Sequence, residues 1–191
     1  SSMSETPPTK PPNAEKHRTA PSLVIVNTGD GKGKSSSAFG VVVRAVAQGW
    51  DVAVIQFLKS GSWNTGEERL CREELGVDWW AIGEGFTWDS PDLSEDEAVA
   101  HAAWEQAKSC INGGKYRLVV LDEITYPLNW AWLNEPDVLA CVKQRPELTS
   151  IILTGRDASR ELIEVADTAT EMKNIKHAYE KGIVAKKGID Y

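Results

Sequence analysis

Short apolar runs and longer amphipathic stretches follow one another along the chain. Leu23-Val24-Ile25-Val26 has no polar interruption and leads into a Gly-rich turn, the pattern of a strand covered on both faces. Over residues 34–48 the period becomes helical. Ala38, Val42 and Val46, with Phe39 and Val43, fall on one stripe, and Gly49 is placed to stop the helix. Residues 51–57 predict a second strand, 66–75 a helix closed by Gly76, and 77–82 a third strand. Ser94 and Glu97 form a capping box for a helix running to about Ile111, ahead of Gly113-Gly114. Residues 118–121 and 150–153 predict two more strands, with a helix over 135–144 between them that stops before Pro146. A short helix at 159–165 and a strand near 168–172 complete the series. Such alternation predicts an α/β fold, a mostly parallel β-sheet with helices on both faces.

Residues 1–21 break this rhythm. They are polar, carry Pro7, Pro8, Pro11, Pro12 and Pro21, and show no apolar period, which predicts a disordered N-terminal tail. The opening Ser1-Ser2-Met3 reads as an expression remnant ahead of a natural start. The rest, 22–191, is the size of one domain. A net charge of −7 disfavours a nucleic-acid coat, which needs clustered Lys and Arg, but leaves room for a small anion held locally. No apolar run is long enough to span a bilayer, and the first residues hold no apolar signal stretch. Cys71, Cys110 and Cys141 lie far apart, against a disulfide framework and for a reducing, cytoplasmic location.

The chemistry concentrates at Thr28-Gly29-Asp30-Gly31-Lys32-Gly33-Lys34-Ser35, after a predicted strand and at the start of a predicted helix. Gly29, Gly31 and Gly33 let backbone N–H groups approach an anion with no Cβ in the way, and the helix N-terminus adds partial positive charge. Lys34 is placed to meet phosphate oxygens, and the Ser35 hydroxyl to ligate Mg²⁺ (or Mn²⁺). Asp30, Lys32 and Ser36 belong to the same nucleotide-binding segment. The usual phosphate-loop pattern has a further Gly where this chain has Thr28, so the loop is a variant. Arg44, on the stripe Ser36–Gly40–Arg44, and Lys59, after the second strand, either reach the nucleotide or are solvated; spacing leaves both readings open.

The apolar strand at 118–121 runs into Asp122-Glu123, the position at which phosphate-loop proteins hold their metal. Glu123 also suits the base of an ATPase, which keeps phosphate transfer open as a rival chemistry. The chain has eight tryptophans, and Trp79, Trp80, Phe86 and Trp88 crowd one segment with Gly83 and Gly85, predicting an aromatic loop for a flat partner, with core packing as the plainer reading. Trp130 and Trp132 read as packing residues, and His101 as solvated. No Ser/His/Asp or Cys/His arrangement is visible.

Taken together, Thr28–Ser35, Gln56-Phe57-Leu58-Lys59, Gly85-Phe86-Thr87-Trp88, Val119-Val120-Leu121-Asp122-Glu123, Thr154-Gly155-Arg156 and Lys187-Gly188-Ile189-Asp190-Tyr191 resemble the P-loop corrinoid adenosyltransferases, in the same order and over most of the chain. The resemblance implies a RecA-like P-loop fold, usually a homodimer; charge and the lack of a long apolar run point away from nucleic acid and membrane as partners. It implies that Co(I) of a reduced corrinoid attacks the 5′ carbon of ATP and expels triphosphate, with a flavoprotein reductase as the transient source of Co(I). ATP would lie reversed in the loop, with Gly29 to Ser35 holding triphosphate and Ser35 and Glu123 near Mg²⁺. Arg44 would help to place the nucleotide, Phe86 and Trp88 would lie against the corrin, and Arg156 would join the site. A γ-phosphate-cleaving ATPase or kinase and a non-catalytic corrinoid carrier are the competing readings.

Overall fold

The computed structural model describes residues 17–58, 65–82 and 94–191. The expected tail therefore lies mostly outside the described residues, as do Lys59, Phe86 and Trp88. Among the described residues six strands form one all-parallel sheet: β1 (Val24–Thr28), β2 (Val52–Gln56), β3 (Asp78–Trp80), β4 (Leu118–Asp122), β5 (Ser150–Thr154) and β6 (Thr168–Glu171). Their order across the sheet is β3-β2-β4-β5-β1-β6. The helices are α1 (Lys34–Ala47), α2 (Thr65–Arg69), α3 (Glu95–Asn112), α4 (Thr125–Asn129), α5 (Glu135–Lys143) and α6 (Arg160–Val165). Leu70–Glu74 extends α2 as a π turn, and Ala178–Lys181 is a 3₁₀ turn.

Both faces of β1, β2, β4 and β5 are apolar because both are covered, whereas the edge strand β6 is polar and exposed. Val24, Ala53, Ile55, Val119, Leu121, Ile151 and Leu153 point into a core roofed by α3, α5 and α6. Their neighbours Val52, Val54, Leu118, Val120 and Ile152 point the other way, onto Ala38, Val42 and Ala45 of α1 and onto Cys71. The two-residue period of a strand thus feeds two cores at once. On α1 the buried stripe is Ala38–Val42–Ala45, and Val43, expected on it, is exposed. A 3.6-residue period favours steps of three and four, so residue 45 replaces 43. Gly49 stops the helix as expected, with φ 77° and its N–H donated to Val46 O at 2.9 Å. The Ser94 hydroxyl accepts the Glu97 N–H at 3.3 Å and so caps α3.

The aromatic segment divides. Trp79 and Trp80 lie on β3, the strand expected over 77–82, and not on an aromatic loop: Trp79 is buried in the α1-side core, and Trp80 packs on the opposite face, edge-on to Tyr116 with ring centroids 6.5 Å apart. A short edge strand with a large aromatic on each face explains the pair without any ligand. The short helix α4 was not foreseen, because Pro127 sits inside it; a Pro in the first turn, where N–H groups lack helical partners, does no harm. His101 is exposed, as its helix position implied.

If Trp79 is a core residue, Trp79→Ala should lower unfolding stability by about 3–5 kcal/mol. Urea denaturation measures this, and a loss under about 1 kcal/mol would return Trp79 to the class of surface aromatics.

Candidate phosphate-binding site

The loop between β1 and α1 is shaped by its glycines and by a neighbour from far along the chain. Gly29 has φ 99°, and a Cβ there would stand 2.4 Å from the Met172 carbonyl oxygen; at Gly31 the same contact would be 2.8 Å. Only glycine admits this approach. Two backbone bonds hold it, Gly31 N–H to Met172 O at 2.7 Å and Met172 N–H to Thr28 O at 2.8 Å. The Gly31 amide, expected to face an anion, is thus engaged by Met172, the residue after β6. Thr28, the departure from the usual loop pattern, ends β1, and its hydroxyl accepts the Ala158 N–H at 3.0 Å. The variant residue therefore tethers the β5–α6 loop.

Gly33, with φ 115°, is the residue before α1, so Lys34 and Ser35 open the helix and lie at its positive end. The Lys34 ammonium donates to the Gly31 carbonyl at 2.8 Å. Burial holds its pKa below that of an ordinary lysine; Glu123 pulls it back up, and Arg156 pushes it down. The Ser35 hydroxyl donates to Asp122 Oδ1 at 2.7 Å, and the Thr154 hydroxyl donates to the same oxygen at 3.0 Å while accepting the Glu123 N–H, also at 3.0 Å. The carboxylate that meets Ser35 is therefore that of Asp122, fully buried at the end of β4, while Glu123 turns into the left-handed region at φ 62° and lines the pocket. A hydroxyl and two carboxylates present only hard oxygen donors, which fits Mg²⁺ and disfavours softer metals. Among the described residues no cluster of three or more His, Cys, Asp or Glu could hold a metal.

Around these groups lies a pocket of about 340 Å³ lined by Asp30, Gly31, Lys32, Gly33, Lys34, Ser35, Ser36, Leu58, Glu123, Tyr126, Arg156 and Asp190. Gly29 sits behind this lining, at the turn. Arg156 reaches it because its loop is pinned: Asn129 Nδ2 donates to Asp157 O at 3.1 Å, Gly155 N–H donates to Asn27 O at 3.1 Å, and the Thr125 side chain fills the space beside Gly155. Arg44 is not in the lining. It is exposed, ten residues along α1 from Lys34, about 15 Å at the rise of a helix. Tyr126, Leu58 and Asp190 were not singled out beforehand. Tyr126 was legible only as the third residue after Asp122-Glu123, and Asp190 only as part of the closing motif. Burial and the nearby Glu123 raise the Tyr126 pKa, so its phenol stays protonated.

The model of the ATP:corrinoid adenosyltransferase BtuR/CobO/CobP family matches residues 20–191. The chain belongs to that family. It is 45% identical over 172 residues to a corrinoid adenosyltransferase of Pseudomonas aeruginosa, covering 88% of this chain and 83% of the relative. Identity to a corrinoid adenosyltransferase of a Sinorhizobium species is 43% over 172 residues, covering 88% and 80%. For that of Escherichia coli K12 it is 40% over 169 residues, covering 88% and 85%. The family match spans every residue of the pocket.

Were Lys34 to hold phosphate as a cation, nucleotide affinity would be full at neutral pH and fall as pH rises through its depressed pKa. Titrating ATP affinity against pH should place that fall at lower pH than in Lys34→Arg, whose side chain stays charged. Identical profiles for the two proteins would contradict the assignment.

Proposed function

We propose that this chain transfers the 5′-deoxyadenosyl group of ATP to the Co(I) of a reduced corrinoid and releases triphosphate. The observation that carries the reading is a cation-lined phosphate pocket in a chain that belongs to the adenosyltransferase family. Members of the family use ATP, and the chain is a transferase of corrinoid adenosylation. The cobalt electron pair forms the bond to C5′, the C5′–O bond breaks, and its electrons leave on triphosphate, so cobalt is oxidised by two electrons. The substrate supplies the nucleophile, so the reaction needs no catalytic Ser, Cys or His from the protein.

The residues then have distinct tasks. Gly33 and the α1 N-terminus, with Lys32, Lys34 and Arg156, neutralise charge gathering on the departing triphosphate. Ser35, Asp122 and Glu123 would hold Mg²⁺ or Mn²⁺, which when bound adds further charge neutralisation on the phosphate oxygens. Holding ATP by its phosphates presents the ribose carbon in fixed position, and alignment of that kind lowers barriers by up to ~7–11 kcal/mol. Phe86 and Trp88, outside the described residues, are assigned to the face of the corrin on the strength of the resemblance, and Arg44 and Lys59 remain proposed nucleotide contacts. We further propose a homodimer, supplied with Co(I) by a flavoprotein reductase. The three cysteines are buried and unbridged, which supports a cytoplasmic setting; burial raises the Cys71 and Cys141 thiols to about 11, so they stay protonated and inert.

The decisive measurement is the phosphate product. With ATP, Mg²⁺ and chemically reduced cobalamin the protein should release triphosphate and form a light-sensitive Co–C bond; ADP with inorganic phosphate would establish the ATPase reading instead. Lys34→Ala should weaken ATP binding at least about tenfold, the scale of a lost charge-assisted contact. Phe86→Ala and Trp88→Ala should depress adenosylation while leaving ATP affinity unchanged, and a parallel loss of ATP affinity in those two variants would remove them from the corrin site.

A further inference from the structure

The segment after β6 folds back over the phosphate loop. Asn174 N–H donates to Asp30 Oδ1 at 3.4 Å, and beyond it Asp190 reaches Lys32 across the mouth of the pocket. The Asp190 carboxylate is oriented by its own turn: Oδ2 accepts the Lys186 N–H at 2.8 Å, and the Asp190 N–H donates to Lys186 O at 2.8 Å. That leaves Oδ1 for the Lys32 ammonium. The Lys186 amide and then Lys32 hold this carboxyl below the usual range, so it is an anion at neutral pH. Asp190 lines the same pocket as Lys34, Ser35 and Arg156.

A fixed carboxylate on a phosphate-loop lysine has a consequence. Triphosphate carries several negative charges and needs the same ammonium. A carboxylate nearby both competes for Lys32 and repels the ligand. The reaction makes this useful. Adenosyl transfer removes only the nucleoside end of ATP, so the whole phosphate chain stays in a loop suited to grip it. Kinases and ATPases split that chain, whereas this enzyme must release it intact.

We propose that Asp190 is a built-in competitor for Lys32 that speeds release of the triphosphate product. The inference rests on the reading of the loop as the triphosphate holder. When the phosphate chain is bound, Lys32 is shared or surrendered and the 186–191 turn is released; when Asp190 recaptures Lys32, the leaving anion loses one of its cations. Because the Lys32 side chain is more than half exposed, the pair is screened and its effect modest.

The test is calorimetric titration of the full chain with inorganic tripolyphosphate, with stopped-flow measurement of its dissociation. Asp190→Asn should bind tripolyphosphate roughly two- to fivefold more tightly, with slower dissociation, the scale of one exposed charge pair. Asp190→Glu should restore the wild-type value, and in a Lys32→Ala background Asp190→Asn should have no effect, a coupling that a merely structural role would not produce. In turnover, Asp190→Asn should lower the steady-state rate while sparing the single-turnover rate. Hydrogen exchange at 186–191 should rise when tripolyphosphate binds to wild type, and thermal midpoints establish that each variant is folded. Tripolyphosphate binding that is absent from wild type, or undiminished in Lys34→Ala, would overturn both the loop reading and this inference. Binding that depends on Lys34 but is unchanged or weakened in Asp190→Asn overturns this inference alone.

Discussion

The bond from the Ser35 hydroxyl to Asp122 is the contact on which the site depends. These residues belong to different strand–helix units, and β5 stands between β1 and β4 in the sheet. The gap is closed by Thr154 at the end of that intervening strand, whose hydroxyl joins Asp122 and the Glu123 amide. Three neighbouring strand ends thus place a hydroxyl, two carboxylates and the helix N-terminus at one edge of the sheet, where open α/β folds bind their ligands. A buried Asp122 is costly unless its oxygens are bonded, so the network also selects the register of these strands over alternatives.

Around that floor, the candidate binding groups are mounted on loops that other parts of the chain hold still. Thr28 restrains the loop carrying Arg156 through Ala158, and Asn129 restrains it from α4. Glycine at 29 and 31 lets Met172 press against the phosphate loop, so the edge strand β6 braces the site as well as completing the sheet. Rigid placement suits the proposed chemistry. With the nucleophile brought by the substrate, the protein acts through alignment and charge, both of which fail if the donors wander.

The pocket also contains opposing charges. Lys32, Lys34 and Arg156 favour an anion, while Asp30, Glu123 and Asp190 oppose it or call for a cation. Such a balance tempers affinity for a highly charged chain. Tight binding of a product serves turnover poorly, since energy spent equally on ground and transition states gives no acceleration.

The strand series, the helix caps at Gly49 and Ser94, the phosphate loop and the acidic strand end were all readable from the chain, because each is a local pattern governed by periodicity or by one turn of backbone. The family resemblance was readable for the same reason, as short motifs in order. What the sequence left open depends on distance in space. Whether Trp79 and Trp80 sat in a loop or a strand turned on which surfaces flanked them. Spacing left open whether Arg44 faced the nucleotide or solvent; it lies exposed outside the pocket lining, while strand order and the Thr28 and Asn129 tethers bring Arg156 to the pocket. Asp190 lies 158 residues from its lysine, and Met172 almost as far from the glycines it touches. No periodicity reaches across such separations. Only the packing of the sheet decides which remote groups share a pocket, since the driving burial of apolar surface carries no label for the polar residues it brings together.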